Sequence, residues 1–109
     1  MIEKHHIVFK SQMGLDYELN YKYLTSEAHR GNDGHHRNRE TDLRYKKELQ
    51  EKLESTLTDE FYTIEELIDL LGLEKRQAYK AFRKIKYHPG KGMKREDVIK
   101  RLMGGRFYL

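Results

Sequence analysis

Two short stretches near the start of the chain alternate apolar and polar residues, a pattern typical of β-strands. Residues 2–9 mix Ile, Val and Phe with a histidine pair, and residues 19–24 alternate Leu and Tyr with Asn and Lys. Residues 11–16, which contain Gly14, predict the connection between these strands. Thr25-Ser26-Glu27 has the composition of a helix start. The pattern predicts two neighbouring strands followed by a short helix.

The middle of the chain predicts one longer helix. Over residues 41–57, four leucines lie mostly on one face of a highly charged segment: Leu43, Leu49, Leu53 and Leu57. The N-terminal half is therefore expected to run strand, strand, short helix and longer helix.

The next segment predicts two short helices separated by a glycine turn. Thr63 and Glu66 form a capping box. Gly72 is placed to end the helix, after an apolar stripe formed by Ile64, Leu67, Ile68 and Leu71. A second helix is expected over residues 74–86, with four residues facing inward: Ala78, Ala81, Phe82 and Ile85. This arrangement predicts a helix-turn-helix. The outward face of its second helix carries side chains suited to base edges and phosphates: Arg76, Gln77, Lys80, Arg83 and Lys84.

The end of the chain predicts a basic turn and a last helix. Residues 88–92 contain Pro89, Gly90 and Lys91 and are typical of a tight turn or wing, and residues 95–103 predict the helix. The apolar tail, Phe107-Tyr108-Leu109, either docks on the body or forms a dimer contact. We expect an α+β chain with a strand–strand–helix module and trailing helix over residues 1–57. A small, mostly helical, winged helix-turn-helix module is expected over residues 58–109.

Charge is distributed unevenly between these two halves. Residues 1–58 contain ten basic and ten acidic residues, whereas residues 59–109 contain twelve and eight, which supplies the whole net charge of +4. Over residues 75–106, twelve basic residues face only two acids, Glu96 and Asp97. Such an excess is typical of nucleic-acid binding, although a solvated surface helix is the alternative.

Composition excludes several other classes of protein. No apolar run approaches the roughly 18 residues of a membrane span, and no signal peptide opens the chain, so we expect a soluble cytoplasmic protein. The chain contains no cysteine, so a bound metal would need His, Asp, Glu or Asn ligands. Because only 37% of residues are hydrophobic, the core is thin and a metal could add folding energy.

The histidines are concentrated at one end of the chain. Five of the six lie within the first 36 residues: His5, His6, His29, His35 and His36. Imidazole can bind a metal and accept a proton near neutral pH, so this cluster predicts a site. Adjacent strand residues point to opposite faces, so His5 and His6 cannot both be ligands in a regular strand. His35 and the sixth histidine, His88, are expected to be surface or structural residues.

The motif His5-His6-Ile7-Val8, with Asn20 fifteen positions after His5 and His29 nine after Asn20, resembles the HNH, or ββα-metal, nuclease motif. The resemblance covers residues 2–40, and the histidine pair is similar to that of nuclease colicins. Residues 63–102 resemble excisionase-like winged helix-turn-helix domains. Small proteins that join two such modules are typical of bacteriophages and mobile elements. The resemblance thus implies a phage-type protein in the bacterial cytoplasm, with a homodimer or a phage protein partner left open.

The HNH resemblance implies roles for individual residues. His6 matches the general base, His5 the first metal ligand and His29 the second. Asn20 matches the central Asn of the catalytic motif, which tethers the connecting loop through hydrogen bonds. For the third ligand both Asp33 and His36 stay open, with His36 ahead because Gly31 and Gly34 favour a bend over a regular helix.

The metal and the DNA contacts are less closely defined. Imidazole-rich ligation suits Mn, Ni, Co or Zn, whereas Mg prefers oxygen ligands, although one-metal nucleases often use it. Arg30 either contacts a phosphate or is solvated, and Lys91 joins the basic helix as a DNA-binding candidate.

These expectations converge on a metal-dependent DNA endonuclease or nickase that hydrolyses phosphodiester bonds. The alternative is a non-catalytic DNA-binding regulator or phage DNA-packaging accessory that uses the HNH fold as a scaffold. RNA cleavage is the weaker third option, because no segment resembles an RNA-binding sheet with exposed aromatic residues.

Overall fold

The first two predicted strands pair as an antiparallel hairpin in the computed structural model, which describes residues 1–25 and 38–109. Strand β1 spans Ile2–His6 and strand β2 spans Tyr21–Thr25. Both strands are shorter than predicted at the ends that adjoin their connecting loop, because β1 ends at His6 and β2 begins at Tyr21. The Val8 backbone bonds to the Asn20 side chain instead of to a strand, and Glu18–Asn20 forms a 3₁₀ turn before β2. The helix start predicted after Thr25 lies outside the described residues.

The longer helix of the middle segment, α1, spans Arg39–Thr56. Asn38 caps its N-terminus, because the Asn38 side chain accepts a hydrogen bond from the Thr41 backbone N–H at 3.1 Å. Leu49, Leu53 and Leu57 are fully buried, as their spacing predicts, whereas Leu43 is only partly buried. The helix therefore packs against the rest of the chain through its C-terminal leucines.

The C-terminal half combines three short helices with a small sheet. Helix α2 spans Ile64–Leu71, helix α3 spans Lys75–Phe82 and helix α4 spans Arg95–Leu102. Strands β3 (Phe61–Tyr62), β4 (Tyr87–His88) and β5 (Gly92–Lys94) form an antiparallel sheet in the order β3-β5-β4. The described residues thus form an α+β protein with two small sheets and four helices.

Two turn residues explain how α2 and α3 are joined. The Thr63–Glu66 capping box is present in both directions at the start of α2, and Gly72 ends the helix in the left-handed conformation at φ 71°. Helix α3 ends at Phe82 rather than near Lys86, because the chain tightens there and Ile85 N bonds to the Phe82 carbonyl. The predicted basic turn connects β4 to β5.

The hydrophobic core draws on both predicted modules. Val8 and Tyr17 of the first module and Phe82 and Ile99 of the second belong to one cluster of buried side chains. The boundary predicted near residue 57 therefore lies within a continuous core. No helix in the described part of the chain combines the length and the apolar character needed to cross a membrane.

The apolar tail docks on the body through Tyr108. The Tyr108 backbone N donates to the Gln50 side-chain oxygen at 2.7 Å, and the Tyr108 carbonyl accepts from the Gln50 Nε2 at 2.8 Å. Phe107 and Leu109 on either side are exposed. Tyr108 therefore docks on the body as the first alternative predicts, and a dimer contact through the tail stays a prediction.

Candidate active site

Asn20 organises the loop between the two strands of the hairpin. Its side chain is fully buried, and its Oδ1 accepts a hydrogen bond from Val8 N at 2.8 Å. Its Nδ2 donates to the carbonyls of Val8 at 3.1 Å and Leu15 at 2.8 Å. Gly14 permits this tight loop, since a Cβ there would overlap the Val8 carbonyl. Asn20 thus contacts protein backbone and tethers the connecting loop, which is the role that the HNH resemblance implies.

The tethered loop brings a carboxylate to His6. The His6 Nε2 lies 2.6 Å from Asp16 Oδ1, a charge-assisted hydrogen-bond distance. The Tyr21 ring, opposite His6 in the strand register, packs edge-on against the imidazole with 5.2 Å between ring centroids. The imidazole is therefore held by a carboxylate and by an aromatic ring in a T-shaped contact.

Asp16 also connects the hairpin to helix α3. Its backbone N–H donates to the Gln77 Oε1 at 2.9 Å, and its Oδ2 accepts from the Gln77 Nε2 at 3.0 Å. The Lys10 ammonium lies 3.6 Å from the same Oδ2. The Asp16 pKa lies below its ordinary value of 3.8, chiefly because of the His6 hydrogen bond and then the Gln77 hydrogen bond, although burial opposes the shift.

This pKa shift predicts how stability depends on pH at Asp16. Because the folded state lowers the Asp16 pKa, the carboxylate stabilises the fold above about pH 4, and the stabilisation is lost as the pH falls through the lower, folded value. We expect the free energy of unfolding to fall more between about pH 5 and pH 3 for the natural chain than for Asp16→Asn. Urea denaturation at the two pH values measures this difference. Equal losses in the two proteins would contradict the assignment.

His5 has different surroundings from His6, as expected for neighbours in a strand. Its Nε2 lies 3.4 Å from the Glu3 Oε2, and Glu3 is two residues earlier on the same face of β1. An imidazole and a carboxylate together suit a divalent cation. Within residues 1–25 and 38–109, no three His, Asp or Glu side chains are grouped as a metal site needs.

The remaining candidate ligands belong to the segment between the hairpin and α1. His29, His36 and Asp33 lie outside the described residues, as does Arg30. A ligand set that includes His5 therefore depends on residues of that segment, and its composition stays a prediction.

The predicted DNA-binding residues that the structure describes are exposed, with one exception. Arg76, Lys80, Arg83, Lys84 and Lys91 are all exposed. Arg83 and Lys84 follow the end of α3 instead of lying within it, and Lys91 lies in the β4–β5 turn, where its ammonium lies 5.3 Å from the centroid of the Phe61 ring. Gln77 differs from the expectation, because both polar atoms of its amide bond to Asp16. Gln77 thus links α3 to the hairpin, and we leave it out of the DNA-contact surface.

Asp16 is the site residue that the sequence analysis missed. The sequence signal for Asp16 was an acidic residue in the short loop that joins β1, which carries His6, to β2. That signal is weak, because Glu18 is a second acid between the two strands and nothing in the spacing selects between them.

Comparison with known proteins does not further constrain the function of the chain. No protein-family model matches this chain, and no curated protein or solved structure matches it significantly.

Proposed function

We propose that this chain is a metal-dependent DNA endonuclease or nickase. The observation that carries the proposal is the chain of contacts from His6 to Asp16 and from Asp16 to Gln77 of helix α3. These contacts connect His6, a side chain that can activate water, to helix α3. Other residues of α3 are cationic and exposed. The proposal also draws on the HNH resemblance of residues 2–40.

His6 is the proposed general base of this reaction. When the His6 Nε2–H donates a hydrogen bond to the Asp16 carboxylate, the neutral imidazole carries its basic lone pair on Nδ1. The carboxylate also stabilises the imidazolium that forms when His6 removes a proton from water. A divalent cation, when bound by His5 and ligands of the 26–37 segment, would neutralise charge on the scissile phosphate.

Helix α3 and the β4–β5 turn form the proposed DNA-contact surface. The order α2, glycine turn, α3 and β4–β5 hairpin resembles a winged helix-turn-helix, in which the second helix contacts the major groove. Arg76 and Lys80 lie one helical turn apart on exposed positions of α3. Arg83, Lys84 and Lys91 extend the same charge beyond the helix.

The proposal is tested by incubating the purified protein with supercoiled plasmid DNA and a panel of divalent ions. We expect conversion to the nicked or linear form with at least one of Mg, Mn, Ni, Co or Zn, and full inhibition by a chelator. A plasmid that stays supercoiled with every ion, at protein concentrations that bind it fully, would refute the nuclease proposal.

A DNA-binding protein without catalytic activity is the second candidate. It is favoured by one observation, because the exposed basic residues of the C-terminal half need none of the N-terminal histidines. The plasmid assay separates the two candidates, since both predict binding but only the first predicts cleavage.

A further inference from the structure

A basic cleft lies between the end of α3, helix α4 and the loop that leads to Asp16. Its volume is about 590 Å³, and four cationic side chains line it with no acidic residue among the lining groups: Lys80, Arg83, Lys84 and Arg101. Leu15, Ala81 and Ile85 form its apolar part. A second hollow of about 340 Å³ continues it past Lys84 and Arg101, and adds Lys86 and Lys100 opposite a single acid, Asp97.

Arg101 fixes the walls of this cleft. Its Nε donates to the Ala81 carbonyl near the end of α3 at 2.9 Å, and its Nη1 donates to the Met13 carbonyl of the loop at 2.8 Å. These bonds connect the three elements that line the cleft, and a guanidinium has more donors than they use. Arg101 lines both hollows, so its charge lies at the junction between them.

The cleft leads to the candidate active site. Leu15 lines it, and the next residue, Asp16, holds His6. Gln77 lines it too, and bonds to the same carboxylate. A polymer that follows the cleft from the Lys86–Lys100 end would therefore pass Gln77, whose amide bonds to the carboxylate that holds His6.

We propose that the basic cleft binds the phosphodiester backbone of the DNA strand that is cut, an inference that rests on the proposed function. The lining charge matches a polyanion, and the neighbouring hollow continues this charge past Lys84 and Arg101. The apolar part of the cleft suits the sugar faces between those phosphates. Lys86, Lys100 and Arg101 thereby become DNA contacts in addition to the exposed face of α3.

Binding measurements in a chelator test the cleft independently of catalysis. The probe is a fluorescent DNA duplex, and its affinity is measured by anisotropy from about 50 to 200 mM salt. We expect the double variant Lys86→Gln/Lys100→Gln to lower the slope of log affinity against log salt by about 1.8, which is about 0.9 for each lost phosphate contact. The matched control is Lys47→Gln/Lys52→Gln, which removes the same charge from exposed positions of α1 outside the cleft.

The outcomes separate the cleft from the wider proposal. Two outcomes would refute DNA binding in the cleft but leave binding through α3 intact. Either the cleft variant has the same salt slope as the natural chain, or both double variants reduce the slope equally. A natural chain that binds no DNA would instead refute the DNA-binding part of the proposed function.

A tethered cleavage reagent tests which strand follows the cleft. Because the natural chain has no cysteine, Lys100→Cys accepts one iron–EDTA group at a defined place. We expect its hydroxyl radicals to cut one strand, the strand that the protein itself nicks. Lys52→Cys on α1 is the control and is expected to give no localised cuts. Cuts confined to the other strand, or identical cuts from both positions, would overturn the assignment.

Discussion

Replacing His6 with alanine is expected to lower the rate of DNA cleavage by about 10²- to 10⁴-fold, the usual contribution of a general base. The His6 side chain is partly exposed at the end of β1, where it contacts Asp16 and Tyr21 and lies outside the cluster of buried core residues. Its removal should therefore leave the core and the basic surface intact. Plasmid nicking measures the rate, and anisotropy with the same DNA in chelator should give an unchanged affinity.

Asp16→Asn is the graded companion to this change. The amide keeps the shape of the carboxylate but cannot stabilise an imidazolium and can hold the wrong imidazole tautomer, so we expect a loss of cleavage rate that does not exceed that of His6→Ala. Cleavage by His6→Ala at the natural rate would refute its role as the base. A loss in His6→Ala that is matched by an equal loss of DNA affinity would assign His6 to binding instead.

Local signals explain which elements could be predicted from the sequence. Thr63, Glu66 and Gly72 define both ends of α2, because capping and left-handed turns depend on residues next to one another in the chain. Helix propensity predicts that α3 continues to Lys86, whereas the helix ends four residues earlier, at Phe82. The packing of Ile85 against the core outweighs that propensity, and no neighbouring residue in the sequence predicts this packing.

The candidate site shows the same division between local and long-range signals. The HNH resemblance predicts Asn20 and the histidine pair, because the residues that carry it lie along a single hairpin. The Asp16–Gln77 contact spans 61 positions and joins the two predicted modules, so no periodicity could reveal it. The buried Lys46 combines both kinds of signal. Its ion pair with Asp42, one helical turn earlier at 2.7 Å, is local, whereas the Phe9 ring, whose centroid lies 4.6 Å from the ammonium, is distant in the sequence.

The Asn20→Ala variant is expected to lose about 3 to 5 kcal/mol of the free energy of unfolding. The change removes three hydrogen bonds from a fully buried position, and leaves the Val8 N–H, the Val8 carbonyl and the Leu15 carbonyl without that partner. Each buried group deprived of its partner costs about 1 to 3 kcal/mol. Urea denaturation at neutral pH measures the loss.

The matched control for this change is Asn38→Ala. The Asn38 side chain caps α1 through the hydrogen bond from the Thr41 backbone N–H, so its loss is expected to cost about 1 kcal/mol. A cost for Asn20→Ala no larger than that of Asn38→Ala would show that the loop is held by other contacts. The expected difference matters for activity, because the loop that Asn20 closes is the one that carries Asp16 to His6. Cleavage by Asn20→Ala should therefore fall even at temperatures where most of the variant remains folded.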